Sequence, residues 1–317
     1  LPEVRGIDHF ITFTKNGGQG VYFDCPLHIN GVKTERPGTY INEDLTDYAL
    51  SFIKKERESP FCLCLSHKAV HLAFKPPKHL DNLYDGVDLK MPKESDRFIP
   101  FTNNHAFLGA LMPLDTMYRN YCETVVSVDE QIGRVLNLLD EMEIADNTIV
   151  IYAGDNGFFW GEHGLFDKRY AYEESIRIPF VIRYPRLAGA VGEREQFALN
   201  IDLAPTLLDL ADVQVPDNMQ GISLRDIMQS GTAASRDSWL YEYFPEFPTH
   251  VPGMTALRTK QHKYIEYQNG IRPPELYNLM NDPKEMKDLA GETDSKPLID
   301  RLRQELADLK VKTGYTS

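Results

Sequence analysis

Three short apolar runs, at 61–65, 148–153 and 180–184, stop at turn or polar residues and predict buried strands. Between the first two, Tyr118, Cys122, Val125, Val128, Ile132, Val135, Leu139 and Met142 recur at steps of three and four, the stripe of a long amphipathic helix. A strand, a long helix and a strand form the βαβ grammar of a parallel sheet covered by helices. Residues 43–55 predict another helix, acidic at its start and basic at its end as the helix dipole favours. A third is expected over 202–211, with Pro205 early enough to be tolerated. Residues 72–115 hold seven prolines or glycines and little periodicity, which predicts a long surface excursion of the kind that is usually functional.

After residue 235 the pattern changes. Stretches 239–244 and 263–267 read as short strands rich in aromatics, and 296–310 as a closing helix. The expected architecture is therefore α/β: a mostly parallel sheet flanked by helices over 1–235, then a smaller α+β subdomain with an antiparallel sheet over 236–317.

Composition narrows the class without changing that picture. A length of 317 residues suits one large or two modest domains at ~150 residues each. With 42% hydrophobic and 26% charged residues, disordered, collagen-like and low-complexity classes are excluded. No apolar run approaches the ~20 residues of a membrane span. Leu1 opens neither a signal peptide nor a chain with an initiator Met, so the chain is expected to begin partway into a longer protein. Lys and Arg total 34 against 47 Asp and Glu, a net −13, which argues against nucleic acid or an anionic membrane as partner. A small anionic substrate stays open, because a local cationic pocket can invert the global field. The four cysteines match no disulfide framework or zinc module, and Cys62 and Cys64, two apart on an expected strand, are read as core thiols.

Two polar clusters follow expected strands, at the edge where open α/β sheets bind ligands. After Ala153 comes Gly154-Asp155-Asn156-Gly157, which sets a carboxylate beside an amide oxygen. Such oxygens suit calcium or magnesium, and the same tetrapeptide is also ordinary turn chemistry. Downstream, His163 lies between Gly161 and Gly164 and is followed by Lys168, which could neutralise an oxyanion or be a solvated surface cation. After Leu65 comes Ser66-His67-Lys68-Ala69-Val70-His71, a source of a general acid and of anion contacts.

On these residues the chain resembles the later part of a type I sulfatase of the alkaline-phosphatase-like superfamily. The resemblance runs nearly end to end: Arg5-Gly6-Ile7-Asp8-His9-Phe10, Leu65 to His71, the helix from Ser127-Val128-Asp129 to Leu139-Asp140, the stretch from Gly154 to Pro185, and Glu275-Leu276-Tyr277-Asn278-Leu279 with Asn281-Asp282-Pro283. The Ala-Val-His form, Gly18-Gln19-Gly20-Val21-Tyr22 and Tyr241-Glu242-Tyr243 are most similar to N-acetylglucosamine-6-sulfatases and mucin-desulfating sulfatases. The resemblance implies calcium held in part by Asp155 and Asn156, and Lys168 against a sulfate oxygen. It also implies His71 at the leaving group and His163 on the substrate side. It implies a sulfated carbohydrate substrate and an exported or lysosomal protein. Apart from the resemblance, His67 of the histidine cluster is a substrate-binding candidate, and so is His250 in the stretch 242–253, whose Tyr243, Phe244 and Phe247 could stack on a sugar or pack the subdomain core.

The family's nucleophile is a formylglycine made from the Cys or Ser of Cys/Ser-x-Pro-x-Arg, and no such motif occurs here. The N-terminal Asp pair and the Lys-Trp-His segment of the family are missing as well. The resemblance therefore implies that the front of the domain lies outside this chain. The chain alone is then expected to be inactive and to self-associate through exposed sheet edges. Two rivals remain open: a phosphoesterase or phosphonate hydrolase of the same superfamily, and a non-catalytic glycan-binding relative.

Overall fold

The computed structural model describes residues 6–13, 21–55, 58–92, 113–187, 192–231, 233, 235–245 and 251–315. Arg5, Gly18, Gln19, Gly20, Phe247 and His250 lie outside them. The chain divides into two compact units, Leu1–Met91 with Leu111–Thr148, and Pro92–Ala110 with Ile149–Ser317. The sequence boundary expected at 235/236 lies inside the second unit.

In the first unit β1 (Ile11–Phe13), β2 (Leu27–Ile29) and β3 (Val32–Thr34) form an antiparallel sheet in that order. Asn30 and Gly31, both at positive φ, make the tight β2–β3 turn that Asn-Gly favours. The core gathers Tyr22, Cys25, Leu27, Tyr40, Ile41 and Leu45. Two helices follow, α1 (Ile41–Ile53) and α2 (Leu114–Glu141), close to the expected spans.

The buried face of α2 keeps part of its predicted stripe and adds polar residues. Val128 and Leu139 are buried, and so are Glu123, Thr124, Ser127 and Gln131, whereas Val125 and Met142 are exposed. The reason lies on α1, which presents buried Asn42 and Thr46, so the helix pair meets through polar groups. The Asn42 amide donates to Ser127 Oγ at 3.2 Å, and Ser127 in turn donates to the Thr124 carbonyl at 2.7 Å. Such a contact is stable only because each member is hydrogen-bonded.

Residues 61–65 correct a second expectation. They form no ladder among the described residues, and Cys62, Leu63 and Cys64 are exposed instead of packed in a core. A period-2 apolar run becomes a buried strand only when a neighbour covers it.

The second unit opens with β4 (Val150–Ala153) and goes on through β5 (Phe159–Trp160), β6 (Phe166–Asp167), α3 (Glu173–Ile176) and β7 (Phe180–Arg183). Strand β4 pairs antiparallel with β7, and β5 with β6. Both β4 and β7 were expected to be buried, yet Tyr152 and Val181 are exposed, the latter at 59%. The α/β class holds, but every ladder among the described strands is antiparallel, and the βαβ pair read from the sequence is not among them.

After α4 (Leu203–Leu210) and α5 (Arg225–Ser230) the chain forms the expected antiparallel sheet. Its strands are β8 (Ser238–Tyr243), β9 (Met254–Thr259), β10 (His262–Tyr267) and β11 (Glu275–Asn278), in the order β11-β10-β9-β8. Alternation sends Leu257, Tyr264 and Leu276 to one face, where Ile299, Leu302 and Leu306 of α6 (Lys296–Thr313) cover them. Met254, Ala256, Ile265 and Tyr277 face the other way, onto Phe159 and the Tyr170-Ala171-Tyr172 segment. Both faces are thus covered, and the second cover is the loop that carries candidate chemistry.

Candidate functional site

In the first unit the candidate residues lie on the loop 66–71. The Thr46 hydroxyl donates to the Asn42 carbonyl at 2.7 Å, so at its 2.9 Å contact with His67 Nε2 it can only accept. This hydrogen-bond pattern assigns the proton of the neutral His67 ring to Nε2 and leaves Nδ1 as an acceptor. Burial lowers the His67 pKa to about 4, which keeps the ring neutral near pH 7. Asn42 also accepts from the Ala69 N–H at 3.2 Å, so the polar helix interface holds this loop.

Lys68 is turned inward. Only 5% exposed, it sets its ammonium over the rings of Phe13 and Tyr22, 5.8 and 5.9 Å from their centroids. His71 Nδ1 donates to the Leu72 carbonyl at 2.8 Å, which makes Nε2 the acceptor atom of the neutral ring. The His71 carbonyl accepts the Tyr22 hydroxyl and the Phe74 N–H, which fixes the backbone behind the ring.

The second unit carries the other candidates on one stretch of chain. Asp155 is exposed, and one of its carboxylate oxygens accepts the Asn156 N–H at 2.9 Å. The Asn156 amide nitrogen donates to the Gly157 carbonyl at 2.7 Å, so its Oδ1 remains an acceptor. Gly157 is required by close approach: a Cβ there would lie 2.0 Å from the Glu174 carbonyl, and its N–H donates to the Ser175 carbonyl at 2.8 Å. The turn is therefore pressed against the segment that leads through α3.

His163 adopts the left-handed region, φ 55°, between Gly161 and Gly164, which are also at positive φ. Its Nε2 lies 3.3 Å from Glu174, and Phe159 meets the ring edge-on at 6.2 Å. Lys168 is half-buried and forms no ion pair among the described residues, although its neighbours Asp167 and Arg169 pair with each other. Arg169 is held in turn by the Tyr241 hydroxyl on its carbonyl, at 2.7 Å.

Supporting residues escaped the sequence reading because their partners are distant in the chain. Tyr172 donates to Glu275 across 103 positions. Glu173 receives Arg258 at 3.0 Å and Lys263 at 2.9 Å, and Lys263 also reaches Glu285 at 2.7 Å. Burial opposes ionisation of Glu173, but the two cations outweigh it and hold the carboxyl down at about 2. At Glu285 burial wins over Lys263 and raises the carboxyl.

The Asp155 and Asn156 oxygens fit a hard cation in donor type. Calcium takes roughly six to eight oxygen ligands, whereas no group of three His, Cys, Asp or Glu fit to hold a metal occurs among the described residues. The pair alone therefore offers fewer ligands than calcium takes. A formylglycine does not fit, since the sequence offers no precursor motif.

Comparison with known proteins bears on both units. The profile of the sulfatase family matches residues 3–213, and that of the C-terminal part of N-sulphoglucosamine sulphohydrolase matches 161–312. N-acetylglucosamine-6-O-sulfatase of Bacteroides thetaiotaomicron is 30% identical over 93% of this chain and 65% of its own length. N-acetylglucosamine-6-sulfatase of Homo sapiens is 25% identical over 99% and 65%. The chain thus spans about two-thirds of the length of these curated relatives. A solved structure of a protein in complex with its substrate D-glucosamine-2-N,6-O-disulfate matches with a TM-score of 0.88 and 27% identity, over 99% of this chain and 78% of that one. Phosphonate monoester hydrolase of Agrobacterium radiobacter matches with a TM-score of 0.72 and 21% identity, over 86% and 60%, a likeness of fold alone.

Proposed function

The chain belongs to the sulfatase family, and from that premise we propose that it forms the greater part of a sulfuric ester hydrolase. The substrate proposed is a sulfated amino sugar of the N-acetylglucosamine-6-sulfate kind. One observation carries the reading: an oxygen-donor turn at Asp155 and Asn156 shares its stretch of chain with Lys168, a cation that pairs with nothing among the described residues.

Cleavage of a sulfate ester develops negative charge on the leaving alkoxide and on the sulfuryl oxygens. His71 Nε2 delivers a proton to the leaving oxygen, its Nδ1 being held by the Leu72 carbonyl. Lys168 stabilises a sulfuryl oxygen, and His163 lines the sugar side. His67, neutral near pH 7, accepts a sugar hydroxyl at Nδ1, and His250 completes the substrate-binding set. Asp155 and Asn156 would hold calcium, which supplies fixed positive charge toward the sulfate when bound. No residue of this chain fits the formylglycine of the family, so the nucleophile is assigned to none of them. Export is proposed on family kinship; among the described residues no helix is long and apolar enough to cross a membrane.

The test is to assay the protein translated from the complete reading frame on N-acetylglucosamine-6-sulfate and on phosphate and phosphonate monoesters. Sulfate ester turnover should dominate, and His71→Ala and Lys168→Ala should each lower kcat/KM by about 100-fold or more. Preference for the phosphorus esters would make the protein a sibling hydrolase of the superfamily. Glycan binding without turnover would make it a lectin-like relative.

A further inference from the structure

The first unit contains a cavity that the proposed chemistry does not use. It has a volume of about 410 Å³ and opens to solvent between the residues just after His71 and the middle of α2. That volume falls within the ~300–1,000 Å³ of small-molecule sites. Its walls include Phe23, Lys75, Lys78, Asp81, Asn120 and Glu123.

Glu123 is the unusual member. Only 2% exposed, it accepts a single hydrogen bond among the described residues, a long one of 3.4 Å from the Tyr84 N–H. A carboxylate offers about four acceptor positions, so Glu123 keeps acceptor capacity for a ligand. Its burial and the nearby Asp81 and Asp85 raise its carboxyl, while the Tyr84 N–H and the nearby Arg119 pull the other way. Across the same cavity stands Phe23, 36% exposed and braced by Tyr40 with ring centroids 5.2 Å apart. Tyr40 is itself tied to the Lys75 carbonyl at 3.0 Å, so the aromatic wall and the cationic wall are fixed to each other.

A ligand for these walls must donate hydrogen bonds to a carboxyl, lay an apolar face on a phenyl ring, and offer negative charge to two lysines. A saccharide unit with hydroxyl groups, an axial C–H face and a sulfate or carboxylate meets all three demands together. We propose that this cavity is a saccharide subsite for a further anionic sugar unit of the substrate, in addition to the unit whose sulfate is cleaved. Glu123 binds its hydroxyl groups, Phe23 stacks on its ring face, and Lys75 and Lys78 hold its anionic group. The substrate class rests on the function proposed above, whereas the subsite rests on the cavity itself.

The experiment titrates the chain by calorimetry with two probes, N-acetylglucosamine-6-sulfate and a tetrasaccharide that contains it together with further sulfated sugar units. The tetrasaccharide should bind about tenfold more tightly than the monosaccharide, the value of one stacked and hydrogen-bonded unit. Phe23→Ala and Lys78→Ala, both at the surface and each checked for an unchanged thermal melt, should abolish that advantage, and Glu123→Gln should reduce it. Equal affinity of the two probes for the parent chain, or full retention of the advantage in both surface variants, overturns the subsite. If the advantage is present but the complete protein cleaves no sulfate ester, the proposed function fails and the subsite stands.

Discussion

The Tyr172 ring lies face to face with the His163 imidazole, centroids 4.0 Å apart and planes 12° from parallel, while its hydroxyl donates to Glu275 at 2.8 Å. Tyr267 and Tyr277 donate to the same carboxylate at 2.7 and 2.9 Å. One carboxylate of the C-terminal sheet thus fixes the plate on which a candidate substrate-facing histidine rests. Glu275→Leu should strand three hydroxyls and lower stability by about 2–4 kcal/mol. Urea unfolding checks this, and an unchanged midpoint would refute the linkage.

Lys263 is fully buried between Glu173 and Glu285. Its removal takes the cation from buried Glu285 and leaves Glu173 with Arg258 alone, so Lys263→Met should cost about 3–5 kcal/mol. Adding Glu285→Leu should recover part of that loss, and a double-mutant cycle that returns simple additivity would contradict it.

The buried His67 predicts a pH dependence with a definite sign. Its folded pKa of about 4 lies below the ordinary 6.5, so the unfolded chain binds more protons between those values. The stability it contributes is complete above pH 6.5 and is lost as pH falls toward 4, about 3 kcal/mol in all. His67→Gln should flatten this slope in thermal melts run from pH 7 to 4.5. An unchanged slope would show that His67 does not titrate as assigned.

Gly157 tests how the calcium-side turn is held. A methyl group placed 2.0 Å from the Glu174 carbonyl forces the turn away from α3, so Gly157→Ala should cost about 2–3 kcal/mol. The chain alone, with two oxygen donors on this turn, should bind calcium no better than about millimolar. In the complete protein one calcium is expected, lost with Asp155→Ala. Metal analysis that finds it retained would remove Asp155 from the site.

The exposed apolar side chains of the β4–β7 pair predict self-association of the chain alone. Val181→Lys should shift sedimentation toward the monomer, since a charge on such a strand opposes pairing. A monodisperse, cooperatively melting monomer of the unmodified chain would contradict it.

The amphipathic helices at 41–53 and 114–141, the aromatic strands and the closing helix were legible because local periodicity specifies them. The candidates Asp155, Asn156 and His163 stood out because each stands beside a glycine, and Lys168 and His71 because they fall in polar clusters downstream of expected strands; their roles belong to the proposal above. The partnership of Tyr172 with Glu275 carries no local signal, since it depends on how β11 registers against β10. The same holds for the inward turn of Lys68, the polar face of α2 and the bare flanks of residues 61–65. Periodicity states which face of an element is apolar, but what covers that face is decided by neighbours far away in the chain. By itself the sequence determined the elements and the chemical inventory of this protein. Only the tertiary structure decided which of those groups are committed to holding the fold and which remain to meet a ligand, because burial and hydrogen bonding are properties of packed surroundings.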